Sequence, residues 1–181
     1  TEQFDSESPY WEFLQTGGAS LVAPTFSNGL LRIDLSTTDT WMIGIHDANT
    51  YENVFVRATT SVSPTGSAGL ICRYSEDGWY EFNIATDGAY SLLLGQWLSD
   101  GVVKYIPIVN DVSNKLAELT NTQIGMFCQD NFVQMYANET MISRVEVTNY
   151  GLTEGKVGIS AASFKEAPAS VLFDQVQVSD Q

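Results

Sequence analysis

The side chains best placed for chemistry fall in two short runs, Leu70-Ile71-Cys72-Arg73-Tyr74 and Trp79-Tyr80-Glu81-Phe82-Asn83-Ile84. In an extended chain alternate residues share a face. Trp79, Glu81 and Asn83 therefore lie together, opposite Tyr80, Phe82 and Ile84, and by the same parity Ile71 and Arg73 oppose Leu70, Cys72 and Tyr74. With Arg57 on the preceding strand turned the same way, the predicted surface holds Arg57, Arg73, Trp79, Glu81 and Asn83. Such a mixture suits a hydroxylated ring, whose apolar side packs on an aromatic face while planar groups engage paired hydroxyls. The competing reading is a ladder of Arg–Glu cross-strand pairs that only solvates an exposed sheet. Trp97, in Gly95-Gln96-Trp97-Leu98-Ser99-Asp100-Gly101, sits nearest a loop and is the predicted rim aromatic, whereas Trp11 and Trp41 read as core or edge packing.

Other chemistry is thinly supplied. His46 is the only histidine, too few for a zinc cage or a Ser-His-Asp relay. It reads as a strand-end residue beside Asp47 and Asn49. Calcium needs only hard oxygen ligands, and Asp5 with Asp174 is the candidate pair if the two ends of the chain come together. No other cofactor is expected. Asn138-Glu139-Thr140 forms a glycosylation sequon on an expected hairpin tip, of consequence only for a eukaryotic secretory source.

These residues need strands to hold them. Short β-branched and aromatic runs recur along the chain with turn residues between them, and helical periodicity is nearly absent. Strands are predicted over 11–16, 29–35, 41–46, 54–62, 68–74, 79–85, 89–95, 102–109, 123–129, 132–137, 141–147, 155–161 and 171–178. The turns between them are Ser63-Pro64-Thr65-Gly66, Ser75-Glu76-Asp77-Gly78, Asp87-Gly88, Asp100-Gly101, Asp130-Asn131 and Asn138-Glu139. Only 112–119 hints at a helical turn, with Asp111 or Ser113 as its cap. About a dozen short strands exceed a seven-stranded immunoglobulin sandwich and suit two large facing sheets. Without a repeat or linker, residues 1–181 read as one all-β domain with ample apolar material, 44% of the chain, for a single core.

A net charge of −14, from 22 acidic against eight basic residues, repels phosphate backbones and anionic lipid. Nucleic acid is excluded as a partner, and no apolar run approaches the roughly 20 residues of a spanning helix. The low charged fraction, 17%, and the abundance of Thr, Ser and Asn suit an exported protein, and the chain is expected to be the mature part of one. Two cysteines allow one disulfide or two buried thiols. Cys72 shares its face with Leu70, and Cys128 shares its face with Met126, so both are expected in the intersheet core. Export favours the disulfide between them, with buried thiols as the alternative.

Several stretches resemble bacterial extracellular domains of the concanavalin A-like lectin/glucanase superfamily, near its laminin-G-like and 3-keto-disaccharide hydrolase-type groups. They are Gly69 to Tyr74 followed by Trp79 to Ile84 and Asp87-Gly88-Ala89-Tyr90, the hairpin Phe127-Cys128 to Phe132-Val133-Gln134-Met135-Tyr136-Ala137-Asn138, and Gly155-Lys156-Val157-Gly158-Ile159. Phe4-Asp5 and Phe173-Asp174 resemble the paired terminal strands of these folds. Asn138-Glu139 departs from the family's Asn-Gly, which leaves the turn type there open.

The resemblance covers nearly the whole chain and implies a two-sheet antiparallel jelly-roll sandwich. A retaining glucanase on that scaffold would carry E-x-D-x-E or E-x-D-x-x-E on one strand. Here Glu81-Phe82-Asn83-Ile84-Ala85 keeps only the first carboxylate, and the closely spaced Asp, Asn and His ligands of a legume-lectin metal site are missing. The expectation is a non-catalytic extracellular module that binds carbohydrate or a cell-surface polymer on its concave sheet or rim. A self-associating structural or adhesive envelope protein is the alternative, and a glycoside hydrolase comes third.

Overall fold

In the computed structural model, which describes residues 1–180, the chain forms fourteen strands and two 3₁₀ turns. The strands are β1 (Trp11–Gly17), β2 (Thr25–Ser27), β3 (Leu30–Leu35), β4 (Thr40–Tyr51), β5 (Val54–Val62), β6 (Gly66–Ser75) and β7 (Gly78–Ala85). After them come β8 (Ala89–Ser99), β9 (Val102–Val112), β10 (Thr122–Gln129), β11 (Phe132–Ala137), β12 (Thr140–Glu146), β13 (Gly155–Ser163) and β14 (Ala169–Asp180). The expected helical turn contracts to Asn114–Leu116, where the Ser113 side chain accepts the Lys115 amide, a local bond that ends the preceding strand. The short strand β2 falls outside the sequence expectation because three residues are too few for alternation to register.

Two seven-stranded sheets face each other. The first runs β1-β4-β13-β6-β7-β8-β9 and the second β12-β11-β10-β5-β14-β3-β2. Hairpins connect β6 to β9 and β10 to β12, while β13 inserts between β4 and β6, and β14 between β5 and β3. Late strands interleaved among early ones, all antiparallel, make this an all-β jelly-roll sandwich.

The inner faces follow the period-2 patterning. Leu70, Cys72, Tyr80, Phe82, Ile84 and Leu92 of the first sheet meet Val54, Val56, Met126, Val133, Val171 and Phe173 of the second, all fully or almost fully buried. Cys72 on β6 and Cys128 on β10 form a disulfide across this layer, with Cα atoms 6.6 Å apart. Closing a loop of 56 residues in sequence separation restricts the unfolded chain and stabilises the sandwich by about 2–4 kcal/mol. Near the two ends of the chain one antiparallel bridge joins Glu2 with Val176.

The first sheet is strongly curled. Thr16 Oγ1, on edge strand β1, donates a 2.8 Å hydrogen bond to the Gly101 carbonyl in the turn between β8 and β9. The two edges of the sheet, β1 and β9, thus approach each other. The face turned away from the second sheet becomes the inside of a trough.

Candidate functional site

The trough holds Trp79, Glu81 and Asn83 of the predicted surface, and it is filled. Ile43, Ile45, Ile71 and Trp79 form a second apolar cluster there, packed against Leu14, Trp41, Tyr74, Trp97, Val103 and Tyr105. Trp41 stacks on Tyr105 with centroids 4.4 Å apart, and Trp79 lies 5.5 Å from Trp97. Gly95, across from Trp79 on β8, makes room for the indole, since a Cβ there would come within 2.3 Å of it. The strand parity that grouped Trp79, Glu81 and Asn83 holds, but their exposure does not, because the curl brings β1, β4 and β9 side chains over them.

Glu81 sits at the centre of this layer, 0% exposed. Its Oε1 accepts the Trp41 indole N–H at 2.8 Å and the Asn83 amide at 3.0 Å, and its Oε2 accepts the Trp79 indole N–H at 2.9 Å. Three charge-assisted bonds offset the loss of water around the carboxylate. The Tyr105 hydroxyl is buried beside the same group without a hydrogen bond of good geometry, and burial, then the Glu81 charge, push its pKa up. A carboxylate occupied on both oxygens and sealed from solvent serves as an organiser of indole N–H groups. Among the described residues its hydrogen-bond partners are two indoles and one amide, none of them a carboxylate.

Arg73 does not join the trough. A bulge between Cys72 and Ser75, with Arg73 in the left-handed region at φ 55°, swaps the parity, so that Tyr74 packs in the trough and Arg73 turns toward the end of the sandwich. There, only 2% exposed, it donates to the carbonyls of Glu52 (3.1 Å), Leu152 (2.9 Å) and Asp130 (2.7 Å). Burial pulls its pKa below the ordinary arginine value, and the charges of Tyr80, Asp130 and Glu52 push back. It ties three loops together, and the bulge carries no sequence signal of its own.

Arg57 is separated further. Its strand precedes β6 in the chain but belongs to the second sheet, so Arg57 lies on the opposite outer face of the molecule. The expected five-residue surface therefore divides into three places, and neither arginine pairs with Glu81. Trp97 is half-buried at the trough margin, where its indole donates to the Tyr74 hydroxyl at 3.0 Å.

What stays open near the trough is a cleft of about 420 Å³ at its end, lined by Ser67, Asn83, Tyr90, Ser91, Asn110, Asp111 and Phe164 among others. Phe164 is 43% exposed and stands edge-on to Trp41. Sequence reading reached Asn83 alone in this group. Asn110 and Asp111 lie beyond the predicted strand 102–109, which in the structure runs on to Val112, and Phe164 is a lone aromatic between Ser163 and Lys165, just past a strand, where an aromatic is left at a rim. Asp5 and Asp174 do come together, in a polar cleft with Gln3, Gly29 and Gln175. His46 lies against Glu2, its Nε2 3.3 Å from the carboxylate, and against the Trp11 ring.

No family model and no curated protein matches the chain by sequence. Solved structures match its shape over nearly the full length. A carbohydrate-binding module, CBM66, from Bacillus subtilis superposes with a TM-score of 0.63 at 11% identity, covering 94% of this chain and 96% of that one. A Bacillus licheniformis β-glucanase gives 0.67 at 11% identity over 99% and 97%. A Bacillus subtilis protein of unknown function with a galectin-like fold gives 0.63 at 12% identity over 99% and 96%. With that geometry the fold of this chain is the concanavalin A-like jelly roll.

Proposed function

We propose that this protein is a non-catalytic extracellular module that binds carbohydrate, of the laminin-G-like kind, at the open end of the trough. The observation that carries the reading is the 420 Å³ cleft lined by an exposed ring, Phe164, together with the Ser91 hydroxyl, the Asn110 amide and the Asp111 carboxylate. An aromatic platform beside planar donors and acceptors is the chemistry of sugar binding, and the structural neighbours include a carbohydrate-binding module. The sealed state of Glu81 supports a binding role over hydrolysis. Export is supported by the disulfide. Sheet-to-sheet self-assembly is the weaker reading, because the exposed edge β9 carries Pro107, which has no N–H to offer, and a bulge opposite Leu92 and Leu93.

A structural calcium belongs to the same proposal. The support for it is that Asp5 Oδ1 and the Gln3 carbonyl lie beside Gly29, 3.6 and 3.7 Å from where its Cβ would stand, in a cleft that Asp174 also lines, and calcium takes such hard oxygen ligands. A thermal midpoint raised by calcium in the native chain and unmoved in Asp174→Asn is the expected result.

A glycan array followed by calorimetry tests the main reading. Binding of at least one glycan is expected, weakened tenfold or more in Phe164→Ala and Asn110→Ala. Silence across the array, or binding untouched by both changes, counts against it.

A further inference from the structure

We infer that a second binding site, for a single neutral sugar ring, lies on the opposite side of the molecule, on the outer face of the second sheet. In one row across that face Arg57 on β5 pairs with Gly125 on β10, and Gly125 with Tyr136 on β11. The glycine leaves a gap between a guanidinium and a phenol ring. Phe55 closes one side and Gln123 the other, with Glu139 at the rim, enclosing about 200 Å³. A Cβ at Gly125 would come within 2.9 Å of the Phe55 ring, so this notch exists only because that position has no side chain.

The guanidinium there is held in place yet uncommitted. The Arg57 guanidinium lies over the Phe55 ring, 5.0 Å from its centroid, which fixes its plane. Its Nε is buried and has no hydrogen-bond partner among the described residues. A donor deprived of both water and a protein acceptor costs about 1–3 kcal/mol, and an arriving hydroxyl would relieve that cost. The Tyr136 hydroxyl is already donated to Gln134 Oε1 at 2.7 Å, which leaves its ring face as the useful surface.

The size and charge of the notch select the ligand. It is smaller than the usual 300–1,000 Å³ of a drug-sized pocket, so it takes one ring. Glu139 at its rim and a net charge of −14 oppose an anion. A neutral ring with adjacent hydroxyls can take donation from Arg57 and give it to Glu139 while its apolar face meets Phe55 or Tyr136. The carbohydrate reading above supplies the ligand class here but not the location. Two sites on opposite faces would let one module bridge two polymer chains.

Nitrogen-15 NMR of the intact chain reads the site directly, through the Arg57 Nε–H and Gly125 amide resonances. The probes are the methyl glycosides of glucose, galactose, mannose and fructose, with sodium glucuronate as the anionic contrast, each added to several times an expected Kd of ~1 mM. At least one neutral glycoside should move both resonances together and saturably. Read at the Gly125 amide, Arg57→Lys and Tyr136→Ala should weaken the response tenfold or more, and Phe164→Ala should leave it unchanged at both resonances. No movement with any neutral glycoside, movement with glucuronate alone, or loss of the response in Phe164→Ala overturns the site. Because Phe164→Ala separately reports on the trough cleft, failure at one face is distinguishable from failure at the other.

Discussion

The two outer faces of this sandwich begin from the same sequence logic and end differently. On each, strand alternation sets an arginine or glutamate among aromatic rings: Glu81 with Trp41, Trp79 and Tyr105 on the first sheet, Arg57 with Phe55 and Tyr136 on the second. On the first sheet the curl that brings Thr16 to Gly101 folds the edge strands inward, and the aromatics close over the carboxylate. The second face has no such closure, and its rings stay half-buried around a notch. Sheet curvature therefore decides whether an outer-face polar residue stays at the surface or becomes an interior one.

If the trough is an interior, it should respond to mutation as the intersheet core does. Trp79→Ala and Phe82→Ala are each expected to cost about 3–5 kcal/mol in urea unfolding, whereas Phe55→Ala on the open face should cost roughly half as much. A cost for Trp79→Ala below that of Phe55→Ala would break the comparison. The arginines sharpen it at smaller scale. Arg73 donates to three loop carbonyls, so Arg73→Ala should lose about 2–4 kcal/mol, while Arg57→Ala, which removes an unpartnered Nε, should change stability by less than about 1 kcal/mol. Equal losses would mean that Arg57 holds structure and is not free for a ligand.

Much of the scaffold was legible because period-2 patterning and turn chemistry are local. The strands Val54–Val62 and Phe132–Ala137 fall where the pattern puts them, and Tyr80, Phe82 and Ile84 point into the core as their parity requires. The candidate site was less legible for two physical reasons. A single bulged residue, Arg73, reverses parity downstream without any signature, being neither glycine nor asparagine despite its positive φ. And consecutive strands that look like hairpin neighbours, β5 and β6, lie in different sheets, a non-local fact that sent Arg57 to the far side. The hairpin Asn138-Glu139 behaved differently: both residues take positive φ, 46° and 65°, so the two-residue turn keeps the backbone of an Asn-Gly turn with glutamate in the glycine position.

The smallest expected effect at neutral pH tests the trough from within. The Tyr105 hydroxyl is buried without a good partner, so Tyr105→Phe should change stability near pH 7 by less than about 1 kcal/mol, or raise it. The difference should emerge in alkali. A phenol is neutral while protonated, and burial together with the Glu81 charge raises the Tyr105 pKa in the folded state. Above the unfolded value, about 10, the unfolded chain releases this proton while the folded chain keeps it, so the native protein loses stability as pH rises beyond that point. Below it the contribution is fully present. Phenylalanine has no proton to release, so urea midpoints measured from pH ~8 to ~11 should fall less steeply in Tyr105→Phe than in the native chain. A residual slope should remain from Tyr74, Tyr80 and Tyr90, whose values burial also raises. Parallel curves would mean that Tyr105 is reached by water in the folded state, and the trough would then be an open groove after all.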